Sequence, residues 1–187
     1  MDIERRTVLQ GAAALAAIGM STAGQGEEKV VASPGNGKPG DFDFLTGRWT
    51  IQNRMIKPGT SDEWITFPAE ATVWPILNGV GSVEELRIPA RNFAGMGLRL
   101  LDVENKVWKD HWVNARSGVL TTPGQKGNFR DGVGTFTSED GEGAARMIYR
   151  GVWDRITPTS CRWSQGSSRD GGKSWLDNWY MDWTRAA

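Results

Sequence analysis

The chain has 187 residues, the length of one ordinary domain with room for a substantial core. Its 22 Lys and Arg residues balance 22 Asp and Glu residues, and no basic run could follow a phosphate backbone, so a nucleic-acid partner is not expected. A lone cysteine, Cys161, cannot form an internal disulfide, so stability must come from packing. The 10 tryptophans indicate either aromatic core packing or a ligand cavity walled by indole rings.

The first residues have the order of a signal peptide. Arg5 and Arg6 precede a mildly apolar run of about ten residues, too short to span a bilayer, and the small residues "STA" follow at 21–23. The letters "RRTVLQ" resemble the twin-arginine export signal. We therefore expect a signal peptide over 1–23, a flexible linker over 24–40 and a working domain over 41–187. The mature protein is expected to be periplasmic or secreted, with no stable membrane insertion.

From Gly47 onward the apolar residues alternate with period two, which predicts β-strands. "RWTIQNRMI" comes first, and "WITFPAEATVWPIL" and "VGSVEELRI" flank Asn78-Gly79, a strong hairpin signal. Further hairpins are predicted around "VENK", "EDGEG" and "RDGG", the last inside the Asp-box pattern "SRDGGKSW". The segment "DFDFL" before the first strand is expected to form one helical turn or an apolar plug. The pattern predicts an all-β, antiparallel, up-and-down barrel of eight to ten strands.

A resemblance supports this fold. "DFLTGRWT" resembles the Gly-x-Trp motif of the calycins, the lipocalin-like superfamily, which implies that Trp49 closes one barrel end and that Arg185 packs over it. The order of "FDFLTGRW", "PILNGVGSVEE", "GMGLRLLD", "HWVNARSG", "DGVGTF" and "SRDGGKSWLDNWYMDWTR" is similar to the DUF1579 family of bacterial calycin-like proteins. This resemblance implies a fold but brings no catalytic residues with it.

The strand around the only histidine has two chemically different faces. One face carries His111 among valines; the other carries rings, an amide and a cation: Trp108, Asp110, Trp112, Asn114 and Arg116. If the second face points inward, it suits an aromatic ligand that carries a polar or acidic group. If the first face points inward, His111 becomes a candidate base or ligand of a metal or haem. We favour the orientation in which the face with Trp108, Trp112, Asn114 and Arg116 points inward.

Other candidate residues lie on neighbouring strands. Glu84 and Glu85 point to opposite faces, so only one can be interior. Burial would raise the pKa of an interior Glu, and it could then act as an acid or base, especially near Arg116 or Arg150. Candidate catalytic residues are therefore Glu84, Glu85 and His111. The candidate ligand-binding residues are Trp108, Trp112, Asn114, Arg116, Arg99, Arg150, Trp163, Gln165, Asn178 and Trp179. An exterior ion pair is the alternative explanation for each charged residue.

Three functional hypotheses follow from these residues. The favoured one is an exported barrel that binds a small aromatic or apolar molecule carrying a polar or acidic group. The alternative is a cofactor-independent lyase, isomerase or hydrolase that uses an interior Glu or His, with Arg stabilising an oxyanion. The third is a haem-binding barrel with His111 as axial ligand. No cofactor is expected under the first two, one His and one Cys exclude a metal cluster, and oligomeric state stays open.

Overall fold

A computed structural model describes residues 35–187, so the predicted signal peptide and most of the predicted linker lie outside the described residues. Ten antiparallel strands each pair with the next along the chain, and β10 pairs with β1 to close the barrel. The prediction of an up-and-down, lipocalin-like barrel is confirmed, at the upper end of the expected strand number. The strands are β1 (Gly47–Ile56), β2 (Trp64–Ile76), β3 (Gly81–Ile88), β4 (Phe93–Asp102), β5 (Val107–Asn114), β6 (Gln125–Arg130), β7 (Val133–Asp140), β8 (Met147–Asp154), β9 (Ser160–Ser168) and β10 (Leu176–Arg185).

The alternation of apolar and polar residues in the sequence matches an alternation of buried and exposed side chains in the strands. In β1, Trp49, Ile51 and Met55 are buried, whereas Thr50 and the other even-numbered residues up to 54 are exposed. Successive side chains of a strand point to opposite faces, so the buried set faces the barrel interior. Asn53 is also completely buried, because its position places it on the inner face among these apolar residues. Within 35–187, no helix has the length and apolar character needed to cross a membrane.

Two hairpins differ in detail from the prediction. The loop between β2 and β3 is longer than a two-residue Asn-Gly turn, and positive φ is found at Leu77 as well as at Asn78 and Gly79. Strand β6 was missed because "QKGNFR" has few β-branched residues and weak apolar alternation. It joins β7 through Asp131 and Gly132, which both adopt positive φ and thus form the Asp-Gly turn typical of tight hairpins.

The Asp-box segment forms the turn between β9 and β10. The Asp170 carboxylate accepts backbone N–H groups from Lys173 and Ser174 and the hydroxyl of Ser168. Gly171 and Gly172 adopt positive φ inside the same turn. The motif thus acts locally, as a self-contained hydrogen-bonded turn, and lies away from the barrel interior.

One end of the barrel is closed by the segment that precedes β1. Asp43–Leu45 forms a 3₁₀ turn, and Phe42 and Leu45 are buried as an apolar plug, so both expected forms of "DFDFL" occur together. The Arg185 guanidinium lies 4.3 Å from the ring centre of Trp49 and donates hydrogen bonds to the carbonyls of Phe44, Thr46 and Pro158. The expected pairing of the terminal arginine with the first-strand tryptophan is confirmed. We call this the closed end, and the opposite end the mouth.

Candidate functional site: a buried ion-pair cluster inside the barrel

The orientation of β5 decides which of its two faces lines the interior. Trp108, Trp112 and Asn114 are at most 4% exposed and point inward, together with Asp110. His111 lies on the outer face, and its Nδ1 is 2.8 Å from the backbone oxygen of Thr121. The favoured orientation is therefore the one observed, and an interior acid–base or haem-ligand role for His111 does not fit this position.

Three charged side chains meet inside the barrel, on three adjacent strands. The Arg99 Nη2 donates a short hydrogen bond to the Glu84 Oε2, and the Arg99 Nε lies 3.7 Å from the Asp110 Oδ1. Both members of the first pair are buried, at 1% and 0% side-chain exposure. The cation beside the interior glutamate is thus Arg99 and neither Arg116 nor Arg150, since the cross-strand register of β3, β4 and β5 brings these three side chains together. We call these residues the ion-pair cluster.

A glycine allows the cluster to form. Gly97 lies on the inner face of β4 between Glu84 of β3 and Trp112 of β5. A Cβ atom added at Gly97 would lie 3.2 Å from Arg99 Nη2 and 3.4 Å from Glu84 Oε2, which is closer than most side chains tolerate. The missing side chain therefore lets the guanidinium and the carboxylate meet directly over the β4 backbone.

The walls around the cluster are aromatic. The Arg99 guanidinium lies 5.2 Å from the Phe42 ring and 5.3 Å from the Trp153 ring, so two ring faces also contact the charge. Burial alone would lower the pKa of Arg99, but the charges of Glu84 and Asp110 outweigh burial and raise this pKa above its usual value. The guanidinium is therefore a permanent cation in a low-dielectric setting.

Several buried polar atoms of the interior have no hydrogen-bond partner within the protein. Buried polar groups in folded proteins are generally paired, and leaving one unpaired costs about 1–3 kcal/mol. The orphaned atoms therefore mark places where bound water or a ligand supplies the missing partner. They include Asn53 Nδ2, Ser82 Oγ, Glu84 Oε1, Arg99 Nε and Nη1, Asn114 Nδ2, Gln165 Oε1 and the indole Nε1 atoms of Trp153 and Trp183.

Nearer the mouth the interior is walled by further rings and amides. Trp163 and Trp179 meet edge to face with ring centres 6.0 Å apart, and Trp179 donates its indole N–H to the Asn53 Oδ1 at 2.8 Å. The Gln165 Nε2 donates to the Asn178 Oδ1, which fixes the orientation of the Gln165 amide. The Gln165 Oε1 is left as a hydrogen-bond acceptor. These side chains combine apolar contact area with oriented hydrogen-bonding groups, the composition of a small-molecule site.

Six of the thirteen predicted site residues lie away from this interior surface: His111, described above, Asn178, which is half-buried at the register shift of β10, and the four described next. Arg116 is exposed because β5 ends at Asn114, whose side-chain oxygen accepts the backbone N–H of Arg116 in the turn that follows. Arg150 lies on the outer face of β8, stacked 4.2 Å over the Trp175 ring. Glu85 is exposed and paired with Arg87.

Trp108, by contrast, is buried, but it belongs to the closed end. Its indole N–H donates to the Asp41 Oδ2, and its ring packs edge to face on Phe42. The predicted residues that the structure does bring to the interior surface are Glu84, Arg99, Trp112, Asn114, Trp163, Gln165 and Trp179.

Three interior polar residues, Asn53, Ser82 and Asp110, were not among the predicted site residues. Asn53 follows the same alternation as Trp49 and Ile51, so the pattern already placed it on the inner face. Asp110 lies on the predicted pocket face, but its pairing with Arg99 depends on the register between β4 and β5, which the sequence does not specify. Among residues 35–187, no group of three His, Cys, Asp or Glu residues is placed to hold a metal ion.

Comparison with known proteins gives fold neighbours of low similarity. No protein-family model matches the chain, and no curated protein matches it. Rv2717c from M. tuberculosis aligns at 11% identity and a TM-score of 0.49, over 78% of this chain and 95% of that one. The S-type phycobiliprotein lyase CPES from Guillardia theta aligns at 10% identity and a TM-score of 0.46, over 78% and 90%. The closed ten-strand ladder itself establishes that this chain folds as a lipocalin-like barrel.

Proposed function

We propose that this protein is an exported small-molecule-binding barrel whose interior holds an aromatic or otherwise apolar ligand carrying a polar or acidic group. The observation that carries the proposal is the ion-pair cluster: Arg99 is buried, yet its Nε and Nη1 lack hydrogen-bond partners within the protein. A ligand that places a polar group against Arg99 would supply the missing partner.

The energetics favour a functional explanation for this cluster over a purely structural one. Burying an ion pair removes two charges from water, and the desolvation cost often equals or exceeds the attraction gained between them. Apolar side chains of similar volume at Glu84 and Arg99 would fill the same space without that cost. Retaining the charges makes sense when they serve binding.

The size of the barrel supports a bound ligand as well. A barrel of about eight strands has an interior just wide enough for side chains or one small ligand, and the diameter grows with strand number. This barrel has ten strands, so its interior is wider than that of an eight-strand barrel. The Asp110 side chain points inward and is still 19% exposed, so solvent reaches this member of the cluster.

The body of the ligand is proposed to pack on the rings near the mouth. Trp112 stacks with Phe93 at 6.5 Å, and Trp163 and Trp179 form the facing wall. The orphaned amide atoms of Asn53, Asn114 and Gln165 would orient it.

Export and family membership are parts of the same proposal that rest on sequence motifs alone. The twin-arginine pattern supports export to the periplasm or beyond, and the ordered DUF1579-like motifs support a relationship to that family. N-terminal sequencing of protein from a periplasmic extract tests the first point: a start near residue 24 is expected, and an intact Met1 in the cytoplasm contradicts it.

Native mass spectrometry of protein purified from its source cells tests ligand binding. We expect a bound small molecule that is retained in R87Q, which changes an outer-face cation, and lost in R99M. A ligand-free wild type whose tryptophan fluorescence responds to none of a broad set of aromatic compounds would contradict the proposal. If R99M fails to fold, R99K provides a variant that keeps the charge but loses the planar donor geometry.

A second candidate function is favoured by one observation. The Glu84 Oε1 has no hydrogen-bond partner, and the Glu84 carboxylate lies beside the Arg99 guanidinium. This arrangement suits an acid–base residue next to a group that stabilises an oxyanion. If the barrel is a cofactor-independent enzyme, the captured ligand should be converted on incubation with the wild type and remain unchanged with E84Q. Identical turnover by both proteins would contradict a role for Glu84.

A further inference from the structure

Three orphaned atoms of the interior share one property, which is that each can only donate a hydrogen bond. They are the indole Nε1 atoms of Trp153 and Trp183 and the Nη1 of Arg99, and none has an acceptor among residues 35–187. Each of the three residues is at most 1% exposed. Indole and guanidinium nitrogens do not accept hydrogen bonds, so rotating a side chain would not turn a donor into an acceptor. What this place requires is therefore an acceptor.

The three side chains lie next to one another, although they come from different walls of the barrel. The ring centre of Trp153, on β8, is 5.3 Å from the Arg99 guanidinium and 5.3 Å from the ring centre of Trp183, on β10. Arg99 belongs to β4, and in the closed ladder three strands separate β4 from β8 on one side and five on the other. Its guanidinium thus reaches across the interior to the tryptophans. We call these three residues the donor group.

Other tryptophans of the protein show how an indole N–H is usually satisfied. Trp49 donates to the backbone carbonyl of Leu45, and Trp175 donates to that of Gly172. A buried indole generally finds such a partner, because an unpaired donor gives up its hydrogen bonds to water and gains none in return. The donor group departs from this pattern with two indoles and a guanidinium nitrogen side by side. A bound molecule with an acceptor oxygen would supply what the protein does not.

Hydrogen-bond chemistry decides which polar group of a ligand fits the donor group. A carbonyl oxygen has two lone pairs and no hydrogen to donate, so it can accept from two of the three donors at once. A carboxylate oxygen accepts in the same way. A hydrocarbon would leave all three donors unpaired, and an ammonium would bring further donors to a place that already lacks acceptors.

We infer, on the basis of the proposed function, that the barrel binds aromatic compounds with a carbonyl or carboxylate oxygen and that this oxygen lies against the donor group, with the ring toward the mouth. Trp153 and Trp183 are then ligand-binding residues in addition to Arg99. The inference narrows the polar group of the proposed ligand to an oxygen acceptor and excludes the corresponding amines.

Three probes of nearly the same shape test this selectivity: acetophenone, ethylbenzene and 1-phenylethylamine, each titrated into the purified protein by calorimetry at neutral pH. The ketone is uncharged, so its advantage over the hydrocarbon reports hydrogen bonding without a contribution from net charge. Acetophenone is expected to bind at least about tenfold more tightly than either of the others, a factor that corresponds to about 1.4 kcal/mol.

Replacing a tryptophan by phenylalanine removes the N–H and keeps an aromatic ring, so it tests the donor group itself. In W153F and in W183F the ratio of acetophenone affinity to ethylbenzene affinity is expected to fall by about fivefold, the effect of one lost hydrogen bond. The ratio is taken within one protein, so a change in cavity volume affects both probes. The control W175F removes an N–H that is bonded to Gly172 in the β9–β10 turn, and it should leave the ratio unchanged.

The outcomes separate this inference from the proposed function. If acetophenone binds no more tightly than ethylbenzene or the amine, or if the ratio is unchanged in both variants, the inference is wrong while the binding function stands. If no probe binds, the molecule retained in native mass spectrometry decides: one without a carbonyl or carboxylate oxygen overturns the inference, and one with such an oxygen supports it. If no molecule is retained either, the proposed function fails and the inference fails with it. The ranking in the unmodified protein applies whether or not the variants fold.

Discussion

Removal of one charge from the buried pair should destabilise the fold far more than removal of an exposed one. In R99M the Glu84 carboxylate keeps its 0% exposure but loses the guanidinium that donates to it. Breaking a buried pair by deleting one partner costs about 3–5 kcal/mol, because a charge is left without compensation. Loss of the cation contacts to Phe42 and Trp153 acts in the same direction.

The neighbouring outer-face pair provides a matched control. Arg87 and Glu85 form an ion pair on the same strand as Glu84, but their side chains are 35% and 50% exposed. An exposed pair contributes about 0–1 kcal/mol, so R87Q should lower the free energy of unfolding by no more than that. Both variants are compared with the wild type by urea denaturation, followed by tryptophan fluorescence and far-UV circular dichroism.

The double variant E84L/R99M distinguishes a missing charge partner from a missing packing contact. Without either charge, the interior should recover most of the stability lost in R99M, since well-packed apolar residues often replace a buried pair at little cost. The same variant should lose the proposed ligand. The reasoning is refuted if R99M loses less than about 1 kcal/mol of unfolding free energy. It is also refuted if the loss in the double variant equals the sum of the losses in E84L and R99M.

Three further predictions concern residues outside the ion-pair cluster. Cys161 should resist iodoacetamide at pH 8 in the folded protein and react fully in urea, because its pKa of about 12 and its burial keep it a neutral, covered thiol. H111A should cost only about 1 kcal/mol in urea denaturation and leave ligand binding intact, since the imidazole bonds to the Thr121 carbonyl on the outer face. The hydrogen bonds of Ser174 lower the pKa of Asp170 in the folded protein. The stability that this turn contributes is therefore fully present above the unfolded-state pKa of about 3.9, and it is lost as the pH falls through the lower folded-state pKa. In an NMR titration S174A should move the Asp170 midpoint upward, and an unchanged midpoint would contradict that origin.

Local patterns in the sequence accounted for the architecture. Alternation with period two, interrupted by Asn-Gly and Gly-rich turns, predicted strands joined as hairpins. The resemblance to the calycin motif identified Trp49 and Arg185 as the pair that closes one barrel end. Strand β6 escaped because its side chains carry little apolar alternation. Backbone hydrogen bonds to β5 and β7 hold β6 in the sheet. The residue composition of β6 gives no sign of this pairing.

What the sequence by itself determined was therefore the strand series, the hairpin order and the division of β5 into a ring-bearing face and a histidine face. What only the tertiary structure decided was which face turned inward and which charges met there. Register controls both, because a shift of one residue in pairing moves every side chain of a strand to the opposite face. Glu84, Arg99 and Asp110 lie on three successive strands, and the pairing register of β3, β4 and β5 places them within one ion-pair cluster.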